Sequence, residues 1–149
     1  MSEQKIIKIA IIDDHDLLRE SICQFLKDHG LETVFEAENG QLALIKMEAC
    51  ERLPDLCIVD VNMPVMDGFE TVKSLRAKYP LLKFLAFSVN DDEDDVVQML
   101  RNGADGYILK GADPQELAKA IRVICDGGRY FSAGICEVAK DYFKLRLQS

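Results

Sequence analysis

No apolar run in this chain of 149 residues approaches the roughly 20 that a membrane helix needs, so no membrane partner is expected. The start, Met1-Ser2-Glu3-Gln4-Lys5, lacks a basic stretch followed by an apolar segment and a cleavage site. A secretory signal is therefore not expected, and the reading is of a cytoplasmic protein. The five cysteines (Cys23, Cys50, Cys57, Cys125, Cys136) are odd in number and show no C-x-x-C spacing. That pattern speaks against a disulfide framework or a thiolate metal centre, and for buried free thiols in a reducing compartment. Basic residues are in deficit, 18 Lys and Arg against 26 Asp and Glu, for a formal net charge of -8. A chain of that sign repels phosphate backbones, which excludes nucleic-acid contact by these residues themselves. Internal repeats and low-complexity segments are absent too. One charge run, Asp91-Asp92-Glu93-Asp94-Asp95, reads as the solvated first turn of a helix. What is present is a 48% hydrophobic content, enough for one domain with a full core.

Strand-like and helix-like segments alternate along most of the chain. Ile6 to Ile12 is an apolar, β-rich run. Asp16 to Gly30 has helical spacing, with Leu17, Leu18, Ile22, Phe25 and Leu26 on one side and Gly30 as its stop. Glu32 to Ala37 reads as a second strand, and Asn39-Gly40 opens a second helix reaching about Glu51. Asp55 to Asp60 is the third strand. Asp67 caps a third helix, Glu70 completes a capping box, and Pro80 marks the end. Leu82 to Phe87 is the fourth strand, after which Asn90 and Asp91 can cap a helix running to Asn102-Gly103. Gly106 to Leu109 is the fifth strand. Asp113-Pro114-Gln115-Glu116 starts a fifth helix that ends at Gly127-Gly128. Successive βα units predict a parallel sheet with helices on both faces. The right-handed arrangement that sets strands one and three side by side has order 2-1-3-4-5, with a switch point between them.

The chemistry-bearing residues fall at that switch point. Asp13 and Asp14 end the run Ile9-Ala10-Ile11-Ile12, and Asp60 ends Leu56-Cys57-Ile58-Val59. Three carboxylates on one small volume repel one another and call for a bound cation or a raised pKa. Ser88 follows Leu85-Ala86-Phe87, and Lys110 follows Tyr107-Ile108-Leu109, at the same edge. Hard oxygen ligands open to solvent suit Mg²⁺. Carboxylates, Mg²⁺, an ammonium and a hydroxyl are together the parts that stabilise a phosphoryl group. Asp60 is the nucleophile candidate, since a carboxylate can form an acyl phosphate. Asp13 and Asp14 read as metal holders, although in isolation such a pair would be a helix cap. His15 is a poor Mg²⁺ ligand beside carboxylates.

With those residues in place, residues 5–127 resemble the receiver domain of two-component response regulators. The match lies in Asp13-Asp14, in Val59-Asp60-Val61-Asn62-Met63-Pro64-Val65-Met66-Asp67-Gly68, in Ser88, and in Gly106-Tyr107-Ile108-Leu109-Lys110. Asp13-Asp14-His15, Gly103-Ala104-Asp105-Gly106-Tyr107 and Gly127-Gly128-Arg129-Tyr130-Phe131-Ser132 are similar to the NarL/LuxR-type branch. The resemblance implies a flavodoxin-like (βα)5 α/β sandwich. It implies that Asp60 accepts a phosphoryl group from the phosphohistidine of a sensor histidine kinase or phosphotransfer protein. Mg²⁺ would be held by Asp14, Asp60 and the backbone carbonyl of Asn62, with Asp13 assisting through water. Lys110 would pair with Asp60 and then with a phosphoryl oxygen. Ser88 would move to the phosphoryl group, and Tyr107 would change rotamer with it. Tyr107 also has the plain reading of a half-buried strand aromatic. Catalysis would be confined to the protein's own phosphorylation and dephosphorylation. Where many receivers have proline after the lysine, Gly111 stands here.

Three other classes compete. A Mg²⁺-dependent phosphohydrolase would want an acid two residues after the nucleophile, and Asn62 cannot donate a proton in that way. A docking module without phosphotransfer would not need Asp60 and Lys110. A nucleotide-binding module would want a glycine-rich loop where Asp13-Asp14-His15-Asp16 stands. Asn62 and Asn90 flank the expected phosphoryl site and could place water there. The readout face is expected on the fourth helix, fifth strand and fifth helix. Residues 1–127 are read as the phospho-acceptor domain and 128–149 as a linker with an extra helix. Ile135, Val138, Ala139, Tyr142 and Leu145 recur there at helical spacing. That helix can pack on the domain, pair with a second copy in a homodimer, or lead to a further module. In the NarL/LuxR-type branch a helix-turn-helix follows such a linker, and a longer parent could bind DNA through it.

Overall fold

A computed structural model describes residues 6–148. Its centre is a parallel sheet whose strands are β1 (Lys8–Ile12), β2 (Glu32–Ala37), β3 (Leu56–Val59), β4 (Lys83–Ser88), β5 (Gly106–Leu109) and β6 (Tyr130–Phe131). The order is β2-β1-β3-β4-β5-β6. The expected 2-1-3-4-5 arrangement is present and is extended by one short strand. Ile9, Ala10, Ile11 and Ile12 pair in parallel with Leu56, Cys57, Ile58 and Val59, which sets the ends of β1 and β3 side by side.

Central strands read as unbroken apolar runs because both sheet faces are buried. Side chains alternate between the faces. Ile9, Ile11, Ile58, Leu85 and Ile108 meet helices α1 (Asp16–Asp28) and α5 (Pro114–Cys125) through Ile22, Leu26, Leu117 and Ile121. Ala10, Ile12, Cys57, Val59, Phe84 and Tyr107 face the other way. They share a core with α2 (Gly40–Ala49), α3 (Gly68–Lys78), α4 (Glu93–Arg101) and α6 (Cys136–Gln148) through Ala43, Met47, Val72, Leu75, Met99 and Ala139.

Local chemistry sets the helix starts. Asn39, Asp67 and Asp113 accept backbone N–H groups of Leu42, Glu70 and Gln115, as their positions before apolar periodic runs predict. The cap of α4 is a correction: Asp92 accepts from the N–H of Asp94, and Asn90 instead accepts from the N–H of Asp92. Of the acidic run, Glu93, Asp94 and Asp95 form the first turn of that helix behind the Asp92 cap; residues 91–94 are exposed and Asp95 is half-buried. Cys23, Cys50, Cys57 and Cys136 are free thiols, but of the five cysteines only Cys57 is fully buried, the others being half-buried. No helix among the described residues is long and apolar enough to cross a membrane.

The tail packs on the domain. β6 pairs Tyr130 with Gly106 and Phe131 with Tyr107. A side-chain carbon at Gly106 would sit 2.6 Å from the Tyr130 carbonyl oxygen, so glycine is what lets this strand approach. α6 lies against α4, burying Ile135, Ala139 and Tyr142, while Leu145 stays exposed. Val96, Met99 and Leu100 of α4 are core residues, so part of the expected readout face is spent on packing and part is covered by the tail.

Candidate functional site

The carboxylates meet where the order of the strands reverses. The N–H of Asp60 bonds the carbonyl of Ile12 (2.9 Å) and that of Asp13 bonds the carbonyl of Ala37 (3.0 Å). These ladder bonds hold Asp13 and Asp60 at adjoining strand ends, both nearly buried. Carboxylate oxygens of Asp13, Asp14 and Asp60 and a ring nitrogen of His15 all lie within 4.8 Å of one another. Lys110 enters from the end of β5. Its Nζ is 2.8 Å from Asp13 Oδ2 and 3.3 Å from Asp60 Oδ2, and its side chain is 9% exposed. The three carboxylates, opposed by one ammonium, leave a formal deficit of two positive charges.

That deficit shows in Asp60. Burial, and then the charge of Asp13, push its carboxyl up from the ordinary 3.8 to about 6, and Lys110 offsets part of the rise. The residues present therefore fit a divalent cation in both charge and donor hardness. Asp13, Asp14 and Asp60 are the side chains that would hold it. An open cleft of about 390 Å³, lined by His15, Leu17, Leu18, Asp60, Asn62, Val89 and Lys110, leads to the acidic cluster.

The loop after Asp60 is tightly built. Gly68, first residue of α3, donates its N–H to the carbonyl of Val61 at 2.8 Å. A Cβ there would lie 2.2 Å from the Asp60 carbonyl oxygen. Between them Val65 has φ 68°, and the N–H of Met66 bonds the carbonyl of Pro64 at 2.7 Å. A β-branched residue with positive φ at the centre of a three-residue turn is a strained backbone position.

Ser88 is the last residue of β4, and it is fully buried. Its Oγ accepts the N–H of Asn90 at 3.1 Å. Tyr107 is also fully buried and donates its hydroxyl to the carbonyl of Asn90 at 2.5 Å. Burial pushes that phenol up to about 12. Asn90 thus ties Ser88 to Tyr107 through its backbone. Its side chain is turned to Asp92 and Asp95, so loop shaping occupies it. Asn62 is exposed at the cleft. The turn after Lys110 closes through the N–H of Ala112 on the carbonyl of Leu109 (3.0 Å), and no peptide among the described residues is cis.

Three further residues touch this machinery. His15 Nδ1 is 3.1 Å from Asp13 and 3.3 Å from Asp14. Arg19 donates to the backbone carbonyl of Asp13 and to Asp16, and its Nε is 3.4 Å from Glu36. Ser132 accepts the N–H of Leu109, next to Lys110, on its hydroxyl. For Arg19 the sequence carries no signal, since it stands in no run or spacing that points at the site; Ser132 ends the Gly127-Gly128-Arg129-Tyr130-Phe131-Ser132 stretch, which points to the branch and not to the site.

A doubly wound parallel sheet with an acidic cluster and a lysine at its switch point is the architecture of a receiver. The chain belongs to the response regulator receiver domain family, whose model matches residues 9–122. It is 37% identical over 141 residues to the transcriptional regulatory protein DegU of Brevibacillus brevis, covering 93% of this chain and 59% of that one. It is 38% identical over 139 residues to the nitrate/nitrite response regulator protein NarL of Escherichia coli, covering 93% and 63%. These relatives place it in the NarL/LuxR-type branch, and it spans about three fifths of their length. A two-component response regulator of the LuxR family from an Aurantimonas species superposes with TM-score 0.85 at 27% identity, over 92% of this chain and 98% of that one. The isolated receiver domain of RcsB from Salmonella enterica shares the fold, with TM-score 0.81 at 20% identity over 90% and 99%.

Proposed function

We propose that this chain is a phospho-accepting receiver in which Asp60 takes a phosphoryl group from the phosphohistidine of a sensor histidine kinase or phosphotransfer protein. The observation that carries the reading is Lys110, nearly buried, bridging Asp13 and Asp60 in a cluster still two positive charges short of neutral. An Asp60 carboxylate oxygen attacks phosphorus, the P–N bond breaks, and the imidazole nitrogen leaves with the bonding pair. Mg²⁺ held by Asp14, Asp60 and the Asn62 carbonyl, with Asp13 assisting through water, would supply charge neutralisation at the phosphoryl oxygens. Lys110 contributes a second positive charge there, and Ser88 a hydroxyl donor. Such a group is good at leaving without a protein acid, which suits the amide at position 62. The same site would hydrolyse its own acyl phosphate and turn over no outside substrate.

Residues 1–127 form the phospho-acceptor unit in this reading, and residues 128–149 an extension that bears on its output face. The chain is a cytoplasmic signalling component. If a longer parent carries a DNA-binding module, DNA contact resides there. The formal charge of -8 keeps these residues off DNA, and a specific mobility shift by them would overturn that part.

The test is intact mass after incubation with Mg²⁺ and acetyl phosphate. A gain of one phosphoryl group that requires Mg²⁺ and is absent in Asp60→Asn is expected. No gain, with the fold intact, would reduce the chain to a docking module.

A further inference from the structure

Ser132 is where the strand-to-helix junction of the tail is made. Its N–H donates to the Tyr107 carbonyl at 3.1 Å, as a sixth strand continuing the ladder would. The next ladder bond should come from its own carbonyl. The hydroxyl takes that place, accepting the N–H of Leu109 at 3.0 Å. The freed carbonyl accepts Ile135 N–H (2.8 Å) and Cys136 N–H (3.1 Å) and so begins α6. One buried side chain therefore joins the strand that delivers Lys110 to the helix that lies on α4.

The second half of the circuit runs through Tyr107. Its backbone carbonyl holds Ser132, and its hydroxyl holds the Asn90 carbonyl in the loop leading into α4. The N–H of Asn90 is held by the Ser88 hydroxyl. A turn of the Ser88 hydroxyl toward a group on Asp60 takes away the acceptor of the Asn90 N–H and so loosens the loop that leads into α4. The far face of α4 meets α6 along a seam containing Val97, Val138 and Tyr142. Phosphorylation adds about two negative charges. The acidic residues 91–95 at the start of α4, exposed at 91–94, would be pushed by that charge.

We propose that the tail, residues 130–148, is a latch on the receiver switch: Ser132 grips β5 beside Tyr107 and Lys110, α6 clasps α4, and the clasp loosens when Asp60 carries a phosphoryl group. The proposal rests on the receiver reading above and adds to it where the signal leaves the domain. The latch conceals the α4 seam in the resting protein. By reciprocity, weakening the clasp must favour the phosphorylated state.

Hydrogen–deuterium exchange on the full chain tests this, with phosphoryl occupancy followed by intact mass in the same samples. On acetyl phosphate and Mg²⁺, amides of α6 and of α4 should exchange at least about fivefold faster, with α1 and α2 unchanged. Tyr142→Ala, remote from the acidic cluster, should hold a ratio of phosphorylated to unphosphorylated protein about threefold above the wild type at the same subsaturating acetyl phosphate. In Ser132→Ala the tail should exchange fast in both states, so the phosphorylation-dependent difference disappears. A phosphorylated wild-type protein with unchanged exchange in α6 overturns the latch and leaves the receiver reading standing. Persistence of the full difference in Ser132→Ala removes Ser132 from it. Failure to take up any phosphoryl group removes both proposals.

Discussion

Lys110 lies nearer to Asp13 (2.8 Å) than to Asp60 (3.3 Å), so the proposed acceptor shares its counter-charge with a neighbouring carboxylate. Removing the ammonium would leave buried carboxylates facing each other. Lys110→Ala should destabilise the metal-free protein by about 2–4 kcal/mol at neutral pH. Millimolar Mg²⁺ should restore part of the loss. Urea unfolding with and without Mg²⁺ reads both effects, and a stability unchanged in either condition would refute the counter-charge role.

Asp60 binds its proton more tightly in the folded chain, at about 6, than at its ordinary 3.8. Its contribution to stability is therefore full below pH 3.8 and is lost as pH rises through 6. Asp60→Asn has no proton to lose. It should be more stable than the wild type at pH 7 by about 1–2 kcal/mol, allowing for solvent screening at the open cleft. The gap should close as pH falls from 7 to 4. A gap that stays constant would show that the carboxyl is not raised.

Val65 holds a positive φ that a β-branched side chain resists. Val65→Gly should stabilise the protein by about 1 kcal/mol, the relief of strain exceeding the extra chain entropy of glycine. Thermal unfolding is the readout, and a lowered midpoint would mean the turn is not strained.

Gly68 allows α3 to start directly against Asp60. In Gly68→Ala the new carbon would press on the Asp60 carbonyl oxygen and the Val61 Cα. A loss of about 2 kcal/mol or more is expected, because the neighbours are backbone and cannot turn aside. Phosphoryl uptake should fall with it, as the shift bears on Asp60 itself. Wild-type uptake in this variant would show that the loop absorbs the clash elsewhere.

The strands were legible because both sheet faces are buried and each central strand is a short, unbroken apolar run. The acidic cluster was legible because its members end those runs. β6 was not, since Tyr130 and Phe131 are too few to show a period and their pairing depends on the bare backbone of Gly106. The cap of α4 was misplaced among Asn90, Asp91 and Asp92 because consecutive polar residues are equivalent as caps until the chain direction is known. Arg19 was missed because its partner at the site is the backbone carbonyl of Asp13, and a carbonyl has no letter in the sequence.

β6 also bears on how the molecule keeps to itself. The outer backbone of β5 is covered at Gly106 and Tyr107 by the short strand and at Leu109 by Ser132. β2 borders the sheet on the other side, with Glu32 and Glu36 exposed along it. One margin is thus sealed by the chain's own tail, and the other is guarded by like-charge repulsion between copies. A protein with its tail detached would present a bare strand edge to its neighbours, so the contacts that close the fold also protect it from aggregation.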